Sequence, residues 1–474
     1  MQVFLTGATG FIGRAVVLRL LRDGHRLSAW VRDAQRARSL LGAEVEPVPA
    51  AGGLEALVVE MARADAVINL AGENVLGKRW TAKRRRALRD SRVGLTEQLV
   101  AAMERAEPRP RVLVSASAVG YYGDGGQSAL DESSPAGEDF LARLCVDWEA
   151  AARAAEALGV RVVTPRMGIV LGIGGGALDS MLPLFRKGLG GRLGKGDQIW
   201  PWIHLRDLAA IYARAIGDEA LAGALNATAP QPVSNAALSD ALAAALGRTA
   251  KLPVPAVALK ARFGRAAGTL LEGQNARPAR LLEAGFDFAF SELDPALDDL
   301  LHSGRVHIGP ARQVPASDYL ARRKPKYLLQ ATTDMPAGRD EVFAFFARAA
   351  NLALVTPADL AFTFTSENDP PMEAGTTIDY RIRLGALPLG WTTRIERVEP
   401  GALFIDSQLK GPYKSWWHEH HFADGPAGGT RMQDRVFYSP PAGPLGRAAQ
   451  STFVRPELER IFAYREQAIR LRFG

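Results

Sequence analysis

Three glycines near the start of the chain have the spacing of a phosphate-binding turn. The sequence TGATGFIG runs from Thr6 to Gly13, directly after an apolar run and directly before a helical pattern. In this context Gly7 allows a tight turn, Gly10 lets backbone amides approach a diphosphate, and Gly13 lets the helix pack close to the strand. The amides and the partial positive charge at the helix N-terminus stabilise bound phosphates. The turn therefore predicts a dinucleotide-binding site.

The end of the second apolar run indicates which dinucleotide this site takes. An NAD-selective site needs a carboxylate there to bond the ribose hydroxyls. The sequence GHRLSAWVRD places Val31 at that position, followed by Arg32, with Arg36 and Arg38 in the next turn. Guanidinium groups suit a 2′-phosphate, and a carboxylate would repel it. Although Asp33 is close, the pattern favours NADP(H) over NAD(H).

Short apolar runs alternate with helical patterns over the first 172 residues, which is typical of βαβ units around a parallel sheet. The strand candidates are VFLTG, RLSAWV, AVINLAG, RVLVSAS and RVVTPRMGIV. After Gly172 a Gly-rich stretch leads into helical and loop segments as far as Leu301. We therefore predict a doubly wound Rossmann domain over residues 1–301, with a small substrate-side cap mainly over 172–301.

The remainder of the chain has a different pattern. Residues 302–326 show little periodicity and many Gly, Pro, Arg and Lys residues, which predicts a linker. From Tyr327 a strand, a helix and five runs with period-two alternation predict an antiparallel meander. A final helix is expected from about Pro444 to Arg472. Residues 327–474 thus predict an α+β domain whose curved sheet grips one long helix and encloses an apolar cavity.

Composition narrows the class of protein. The chain has 474 residues, of which 47% are hydrophobic and 23% charged, as expected for a soluble protein of two or three domains. The single cysteine, Cys145, excludes an intramolecular disulfide framework. We expect neither a signal peptide nor a membrane span, and a cytoplasmic location. The basic cluster from Lys78 to Arg92 lacks aromatic interleaving and is interpreted as a solvated helix face, not as a nucleic-acid site.

The order of five motifs resembles that of extended short-chain dehydrogenases/reductases. They are TGATGFIG, NLAG (Asn69 to Gly72), VSASAVGYYG (Val114 to Gly123), PRMGIVLG (Pro165 to Gly172) and WIHLRDLA (Trp202 to Ala209). The segments AGENVLGKRW, YYGD and LLEAGFDF are similar to one atypical subgroup, the nucleoside-diphosphate-sugar epimerase-like family. The resemblance covers about residues 1–301 and implies a nicotinamide cofactor more firmly than a reaction.

The chain departs from this family at its acid–base pair. The wider family carries Tyr-x-x-x-Lys on a helix, in which the Lys lowers the pKa of the Tyr and holds the nicotinamide ribose. Counting back from Glu149, those positions are Leu141 and Cys145. No Tyr occurs between Tyr122 and Tyr212, so a different alignment does not restore the pair. Cys145 falls on an apolar helix face with Trp148, which predicts a packed, inert thiol.

The resemblance assigns the remaining site residues. Ser117 is a better match than Ser115 to the family serine that polarises a substrate carbonyl or hydroxyl. The phenol of Tyr121 or Tyr122 is a candidate proton donor. Packing beside the cofactor is the alternative for both tyrosines. The predicted catalytic residues are Ser117, Tyr121 and Tyr122. The predicted cofactor-binding residues are Thr6, Gly7, Thr9, Gly10, Phe11, Ile12, Gly13, Arg32, Leu70, Ala71, Gly72 and Ser115. His204 and Asp207 match a motif in which both residues fix a loop.

Residues 327–474 resemble the SRPBCC superfamily, which has the helix-grip fold of START domains and polyketide cyclases. The resemblance rests on EVFAFFARAANLALVTP, IDYRIRL, GPYKSWWHEHHF, GGTRMQDRVFY and FAYREQAIRLRF. It implies a cavity for an apolar or aromatic ligand. His418 and His420 alternate onto one strand face and His421 onto the other. Two histidines can start a metal site, but we predict hydrogen-bonded structural histidines and no metal.

Two functions remain open at this point. The first is an NADP(H)-binding atypical reductase or epimerase-like enzyme that acts on a small molecule and carries a fused ligand-binding domain. The second is a non-catalytic NADP(H)-binding sensor or scaffold. The missing Tyr/Lys pair favours the sensor, whereas the serine strand and the substrate-side motifs favour the enzyme.

Overall fold

Continuous apolar runs form the central strands of the first part of the chain, because both faces of their sheet are covered. Val3, Phe4 and Leu5 are fully buried, as are Val67 and Ile68 in the neighbouring strand. The structure is a computed structural model that describes residues 1–302, 306–365, 372–384, 387–440 and 450–474. The chain divides into two units, the first comprising Met1–Ala34 and Glu44–Leu301 and the second comprising Gln35–Ala43 and His302–Gly474.

Strands and helices alternate from Met1 to His302. The strands are β1 (Gln2–Thr6), β2 (Arg26–Val31), β3 (Val45–Pro49), β4 (Ala66–Asn69), β5 (Val112–Ser115), β6 (Ser117–Ala118), β7 (Ala129–Leu130), β8 (Arg161–Met167), β9 (Ile169–Leu171), β10 (Ile199–Trp200), β11 (Trp202–His204), β12 (Gly223–Ala227), β13 (Val233–Ser234) and β14 (Asn275–Ala276). The helices are α1 (Phe11–Arg22), α2 (Ala34–Leu41), α3 (Gly53–Arg63), α4 (Ala82–Arg89), α5 (Leu95–Arg105), α6 (Phe140–Arg153), α7 (Gly176–Arg186), α8 (Leu205–Gly217), α9 (Asn235–Ala245), α10 (Ala256–Phe263), α11 (Gly268–Leu271), α12 (Ala279–Glu283) and α13 (Leu293–His302).

The main sheet of the first unit has the order β12-β8-β5-β4-β1-β2-β3, with β6 also paired to β8. All these pairs are parallel. Helix α3 packs against α5, and α1 packs against α8. Leu57 and Met61 of α3 and Leu99 of α5 share one buried cluster with Phe4 and Leu113 of the strands. The predicted parallel α/β fold is confirmed, and it brings the carboxyl ends of β1, β4 and β5 side by side.

The second unit contains an antiparallel sheet and one long helix. Its strands are β15 (His307–Pro310), β16 (Tyr327–Met335), β17 (Thr363–Phe364), β18 (Thr377–Leu384), β19 (Leu387–Glu399), β20 (Leu403–Lys410), β21 (Ser415–Asp424) and β22 (Thr430–Ser439). Its helices after His302 are α14 (Asp318–Arg322), α15 (Arg339–Phe346) and α16 (Arg455–Phe473). The sheet order is β15-β16-β22-β21-β20-β19-β18-β17. Leu458 and Phe462 of α16 pack on Leu329, Val436 and Tyr438 of the sheet, which confirms the predicted antiparallel domain.

Several element boundaries differ from those predicted. Residues 303–305 of the predicted linker lie outside the described residues, but the rest carries β15 and α14 because Ile308 and Leu320 are buried in the second unit. Strand β12 lies within the predicted cap, yet it pairs with β8 in the main sheet; its sequence GALNA has little β-propensity. Strand β3, with two prolines, was not predicted. The predicted start of the last helix, 444–449, lies outside the described residues.

Across the described ranges, every helix is too short or too polar to cross a membrane.

Candidate functional site

The turn between β1 and α1 leaves no room for side chains at two of its glycines. Gly7 has a φ of +70°, and a Cβ there would lie 2.6 Å from the carbonyl carbon of Leu70. A Cβ on Gly13 would lie 2.2 Å from the carbonyl oxygen of Gly7. The turn itself is closed by a bond from the Gly10 amide to the Gly7 carbonyl at 3.0 Å. Glycine is therefore required at both positions, as the predicted phosphate-binding turn demands.

The first amides of α1 are open to a ligand. Gly10 is the N-cap residue and is exposed, and no described side chain caps the helix. The first turn contains no acidic residue. Thr9, Phe11 and Ile12, all predicted cofactor contacts, are half-buried around it. Uncapped amides and the helix dipole together provide the donors that a diphosphate accepts.

A buried hydrogen-bond network connects this turn to the adjacent strand ends. Thr6 Oγ1 donates to Asn69 Oδ1 at 2.6 Å, and Asn69 Nδ2 donates to Thr96 at 2.8 Å and to Ser115 Oγ at 3.1 Å. The Ala71 amide approaches Thr6 Oγ1 at 3.3 Å. All four side chains in the network are fully buried. The hydroxyls of Thr6 and Ser115 therefore hold the strand ends in register beside the turn.

The loop after β4 and the end of β2 lie beside the turn, because β4 and β2 both pair with β1. Gly72 is exposed, and Leu70 and Ala71 are half-buried. Arg32 is exposed, whereas Val31, at the acidic position of NAD-selective sites, is buried. The pKa of Glu73, just after Gly72, is lowered mainly by its bond with Arg84 and to a lesser extent by the charge of Arg32. Arg32 is thus near this loop, and its exposed guanidinium makes no hydrogen bond among the described residues.

Ser117 does not face an open pocket in this structure. It is fully buried, and its Oγ donates to Glu149 Oε1 at 2.6 Å. Arg166 makes a two-point contact with the same carboxylate, from Nε at 2.8 Å and Nη2 at 2.9 Å. Glu149 and Arg166 have only 6% and 4% of their side chains exposed. A buried carboxylate needs compensation, and Ser117 and Arg166 together bond both oxygens of Glu149.

The two neighbouring tyrosines occupy different environments. The Tyr122 hydroxyl accepts from Arg166 Nη1 at 3.0 Å and lies 2.7 Å from Asn226 Oδ1, and burial raises its pKa to about 12. Its phenol is therefore neutral and occupied. Tyr121 is half-buried, and its ring lies 3.4 Å from the Arg166 guanidinium carbon. Within the described residues, the Tyr121 hydroxyl has no hydrogen-bond partner, so it is the phenol available to a substrate.

Leu141 and Cys145 stand at the positions of the missing Tyr/Lys pair, and neither side chain can take over its acid–base role. Cys145 is buried, and desolvation raises the pKa of its thiol to about 12. Arg92 brings a cation to this place: its guanidinium stacks 5.2 Å from the Trp148 ring, and its charge acts on Cys145. A Cβ on Gly72 would lie 2.9 Å from the guanidinium carbon of Arg92. A positive charge thus lies between the loop after β4 and the helix that carries the family Lys elsewhere.

His204 and Asp207 have structural roles. His204 Nδ1 accepts from the Arg206 amide and so caps α8, while its ring stacks 3.9 Å from that of Phe290. The carboxylate of Asp207 accepts from the amides of Ala289 and Phe290 at 2.9 and 3.0 Å. Both side chains hold the segment before α13 against α8.

With this geometry in place, comparison with known proteins identifies the family. Residues 3–226 match the model of the NAD dependent epimerase/dehydratase family, and residues 254–300 match a domain of unknown function, DUF1731. Human epimerase family protein SDR39U1 is 40% identical over 305 residues, which are 64% of this chain and 100% of that protein. Epimerase family protein Mb2239 of Mycobacterium bovis is 41% identical over 296 residues, 62% of this chain and 96% of the relative. The chain belongs to the NAD-dependent epimerase/dehydratase family.

Solved structures agree with this assignment for the first unit of the epimerase-family chain. The crystal structure of human SDR39U1 with NADPH is 37% identical, with a TM-score of 0.57, and covers 63% of this chain and 98% of that one. The nucleoside-diphosphate sugar epimerase of Corynebacterium glutamicum is 32% identical, with a TM-score of 0.50, and covers 63% of this chain and 57% of that one. UDP-glucose 4-epimerase of Thermus thermophilus, solved with NAD, is 20% identical at a TM-score of 0.51 and shares the fold.

Four residues of this epimerase-family site were not predicted as functional. Glu149, Arg166, Asn226 and Arg92 come from α6, β8, β12 and the turn before α5. A charged residue within an otherwise apolar stretch was the available signal for two of them: Glu149 follows Cys145 by one helical turn, and Arg166 interrupts the apolar strand RVVTPRM. Their pairing depends on a contact between a helix and a strand, which the sequence pattern does not contain.

The second unit of the epimerase-family chain contains a cavity of about 200 Å³ between the sheet and α16. Aromatic and aliphatic side chains form most of its wall, among them Phe362, Tyr380, Trp391, Trp416, Leu458 and Phe462. Asp406, His418, His420 and Arg465 form a polar end. The two histidines lie on one face of β21, while His421 bonds Glu419 on the other at 3.1 Å, as the alternation predicts.

Proposed function

We propose that this protein binds NADP(H) and acts as an atypical reductase or epimerase-like enzyme on a small molecule with a carbonyl or hydroxyl group. The observation that carries the proposal is the turn from Gly7 to Gly13, where two obligatory glycines present uncapped helix amides. The related human protein SDR39U1 has been solved with NADPH. Family membership supports the reaction class, and exposed Arg32 next to buried Val31 supports the choice of NADP(H).

The residues present fit a phosphorylated dinucleotide. The diphosphate would be held by the amides that follow Gly10, where no described carboxylate lies in the first turn to repel it. The adenosine 2′-phosphate would meet Arg32, since buried Val31 replaces the acid of NAD-selective sites. Arg92, beside Gly72 and Cys145, would supply the positive charge near the nicotinamide ribose that the family Lys supplies elsewhere. When bound, the nicotinamide donates or accepts a hydride.

On the substrate side, Tyr121 is the proposed proton donor and acceptor. Its hydroxyl has no partner among the described residues, and its ring packs against the Arg166 guanidinium, whose carbon lies 3.4 Å from the ring centroid. Ser117, predicted as a catalytic residue, donates its hydrogen bond to Glu149, so we propose that it positions the loop that carries Tyr121. Tyr122 positions Arg166 in the same way through its bond at 3.0 Å.

A direct assay tests this proposal. Purified protein is mixed with NADPH and a panel of carbonyl compounds, and the absorbance of the reduced nicotinamide is followed. Loss of a positioned proton donor costs about 10²–10⁴-fold, so Tyr121→Phe should reduce turnover by that factor while leaving the affinity for NADPH unchanged. Tyr319→Phe, in the second unit, is the matched control and should retain full turnover.

A non-catalytic NADP(H) sensor is the second candidate. It is favoured by Leu141 and Cys145, which remove the usual acid–base pair, and by the raised pKa of the Cys145 thiol, which keeps that residue neutral. Tight NADPH binding without oxidation of the cofactor by any compound of the panel would support the sensor. Turnover that Tyr121→Phe abolishes would support the enzyme.

For the second unit we propose a helix-grip, SRPBCC-like domain that binds an apolar or aromatic ligand. An eight-stranded antiparallel sheet, the long helix α16 and the cavity with its aromatic walls support this proposal. We further propose that residues 1–301 and 327–474 act as separate domains. Small molecules that co-purify with the full chain, identified by mass spectrometry, test the ligand class; polar metabolites alone would contradict it.

A further inference from the structure

At one end of the cavity in the second unit, a cluster of buried polar side chains interrupts the otherwise aromatic wall. It consists of Asp406 on β20, His418 and His420 on β21, Asp434 on β22 and Arg465 on α16. Each of these side chains has at most 14% of its surface exposed. Burial of so many polar groups is costly unless each is bonded, so the pattern of bonds within the cluster decides which atoms remain for a ligand.

The bonds on the Asp434 side determine where the protons are. Arg465 donates to both oxygens of Asp434 at 3.1 Å, and its Nη2 also lies 3.3 Å from His420 Nδ1. His418 Nε2 lies 2.9 Å from Asp434 Oδ1. Burial opposes ionisation of Asp434, but the Arg465 charge and the histidine bonds hold its pKa well below the usual value. Asp434 is therefore an acceptor, and His418 must carry its proton on Nε2.

Two acceptor atoms remain at this polar end of the cavity, beside the Arg465 guanidinium. With its proton on Nε2, His418 presents a bare lone pair at Nδ1. His420 lies between two carboxylates, with Nε2 3.0 Å from Asp406 Oδ2 and Nδ1 3.0 Å from Asp434 Oδ1. Oδ1 of Asp406 has no hydrogen-bond partner among the described residues. His418 Nδ1 lies 3.9 Å from Asp406 Oδ2. The lone pair at His418 Nδ1 and the unpartnered oxygen of Asp406 are together complementary to a hydrogen-bond donor.

We propose that the cavity binds a one- or two-ring aromatic molecule that carries a hydroxyl or amino group, and that this group donates to Asp406 and His418. The inference rests on the ligand-binding role proposed above and specifies the ligand. An apolar cavity of about 150 Å³ can hold benzene, so the 200 Å³ here suits a slightly larger molecule. Trp391 and Tyr380, stacked at 5.8 Å, provide flat walls for the rings.

Matched naphthalenes test the proposal on the full-length protein. The affinities of 2-naphthol, 2-methoxynaphthalene and naphthalene are measured by isothermal titration calorimetry. The methoxy compound retains the rings and the oxygen but has no donor hydrogen. A hydrogen bond to a charged acceptor should make 2-naphthol bind about 10- to 100-fold more tightly than 2-methoxynaphthalene.

Two variants locate the effect. Asp406→Asn removes the charge and should reduce the 2-naphthol preference about tenfold while leaving the naphthalene affinity unchanged. Asp424→Asn makes the same chemical change at the end of β21, where the side chain is 84% exposed, and should retain the full preference. Far-ultraviolet circular dichroism and melting curves check that both variants are folded; if Asp406→Asn is unfolded, the preference is measured instead in Asp406→Glu, where it should change.

Each other outcome contradicts the proposal in a distinguishable way. If all three compounds bind equally, the donor specificity is wrong while the ligand-binding role stands. If none binds, the ligand-binding role fails and the specificity with it. If a chelator abolishes the 2-naphthol preference, a metal ion held by Asp406, His418 and His420 explains the selectivity, and the proposed hydrogen bonds do not.

Discussion

Replacement of Gly13 by alanine tests the proposed phosphate site most directly, because the obstruction is set by backbone atoms. The new Cβ would lie 2.2 Å from the Gly7 carbonyl oxygen and 2.8 Å from the Ala8 Cα. Contacts below 3.0 Å are not tolerated, so the turn must move by about 0.8 Å relative to α1. No flexible side chain can relieve this contact. The substitution thus displaces the amides that are proposed to hold the diphosphate.

The magnitude follows from the bonds that such a displacement breaks. An amide donor at 2.9 Å that moves by about 0.8 Å no longer makes a hydrogen bond. Two bonds from amides to a charged phosphate are worth about 3–6 kcal/mol together. Since 1.4 kcal/mol corresponds to a tenfold change, Gly13→Ala should weaken NADPH binding by roughly 10²- to 10⁴-fold. Crowding in the helix–strand contact should also cost about 1–3 kcal/mol of unfolding free energy.

Calorimetric titration of NADPH below the melting temperature of the variant measures this effect. Gly94→Ala is the matched control, because a Cβ at Gly94 has no neighbour within 4 Å. It should retain the wild-type affinity and gain up to about 1 kcal/mol of stability from helix propensity. If folded Gly13→Ala binds NADPH within threefold of the wild type, the amides at the start of α1 do not hold the diphosphate.

Three further predictions concern cofactor choice, stability and reactivity. Arg32→Ala should weaken the binding of NADPH about 10- to 100-fold and leave the affinity for NADH unchanged. The control Arg26→Ala, at an exposed position at the other end of β2, should change neither affinity. Equal weakening of the binding of both cofactors would contradict the role of Arg32. Glu149→Gln leaves the Arg166 charge uncompensated and should lower the unfolding free energy of the first unit by about 3–5 kcal/mol in urea titrations. The control Glu97→Gln, at an exposed position, should change that free energy by less than about 0.5 kcal/mol. Equal effects would show that the buried pair is not important for stability. Cys145, whose thiol pKa is raised to about 12, should not react with a disulfide reagent in native protein at neutral pH, because the thiolate is the reactive form. It should react fully in denaturant, and the rate in native protein should rise only as the pH approaches 12. Rapid stoichiometric labelling of native protein would contradict the prediction that the thiol is packed and inert.

Local sequence patterns determined the fold class and the cofactor turn. The glycine spacing from Gly7 to Gly13 specifies a backbone shape within eight residues, and continuous apolar runs specify strands covered on both faces. The same local information was insufficient for β3 and β12, since two prolines in VEPVP and the small residues of GALNA weaken the strand pattern. Their place in the sheet depends on neighbours that are distant in the sequence.

The tertiary structure alone decided which polar groups meet. Glu149 and Arg166 bond across a helix–strand contact, and Arg92 reaches the position of the absent family Lys from the turn before α5. In the second unit, alternation placed His418 and His420 on one face, but only the packing of α16 brought Arg465 to Asp434 and so fixed the proton on His418. Hydrogen bonds of this kind act over about 3 Å between residues that are far apart in the chain. Their partners therefore depend on how helices and strands pack together, and not on the spacing of apolar residues within any one helix or strand.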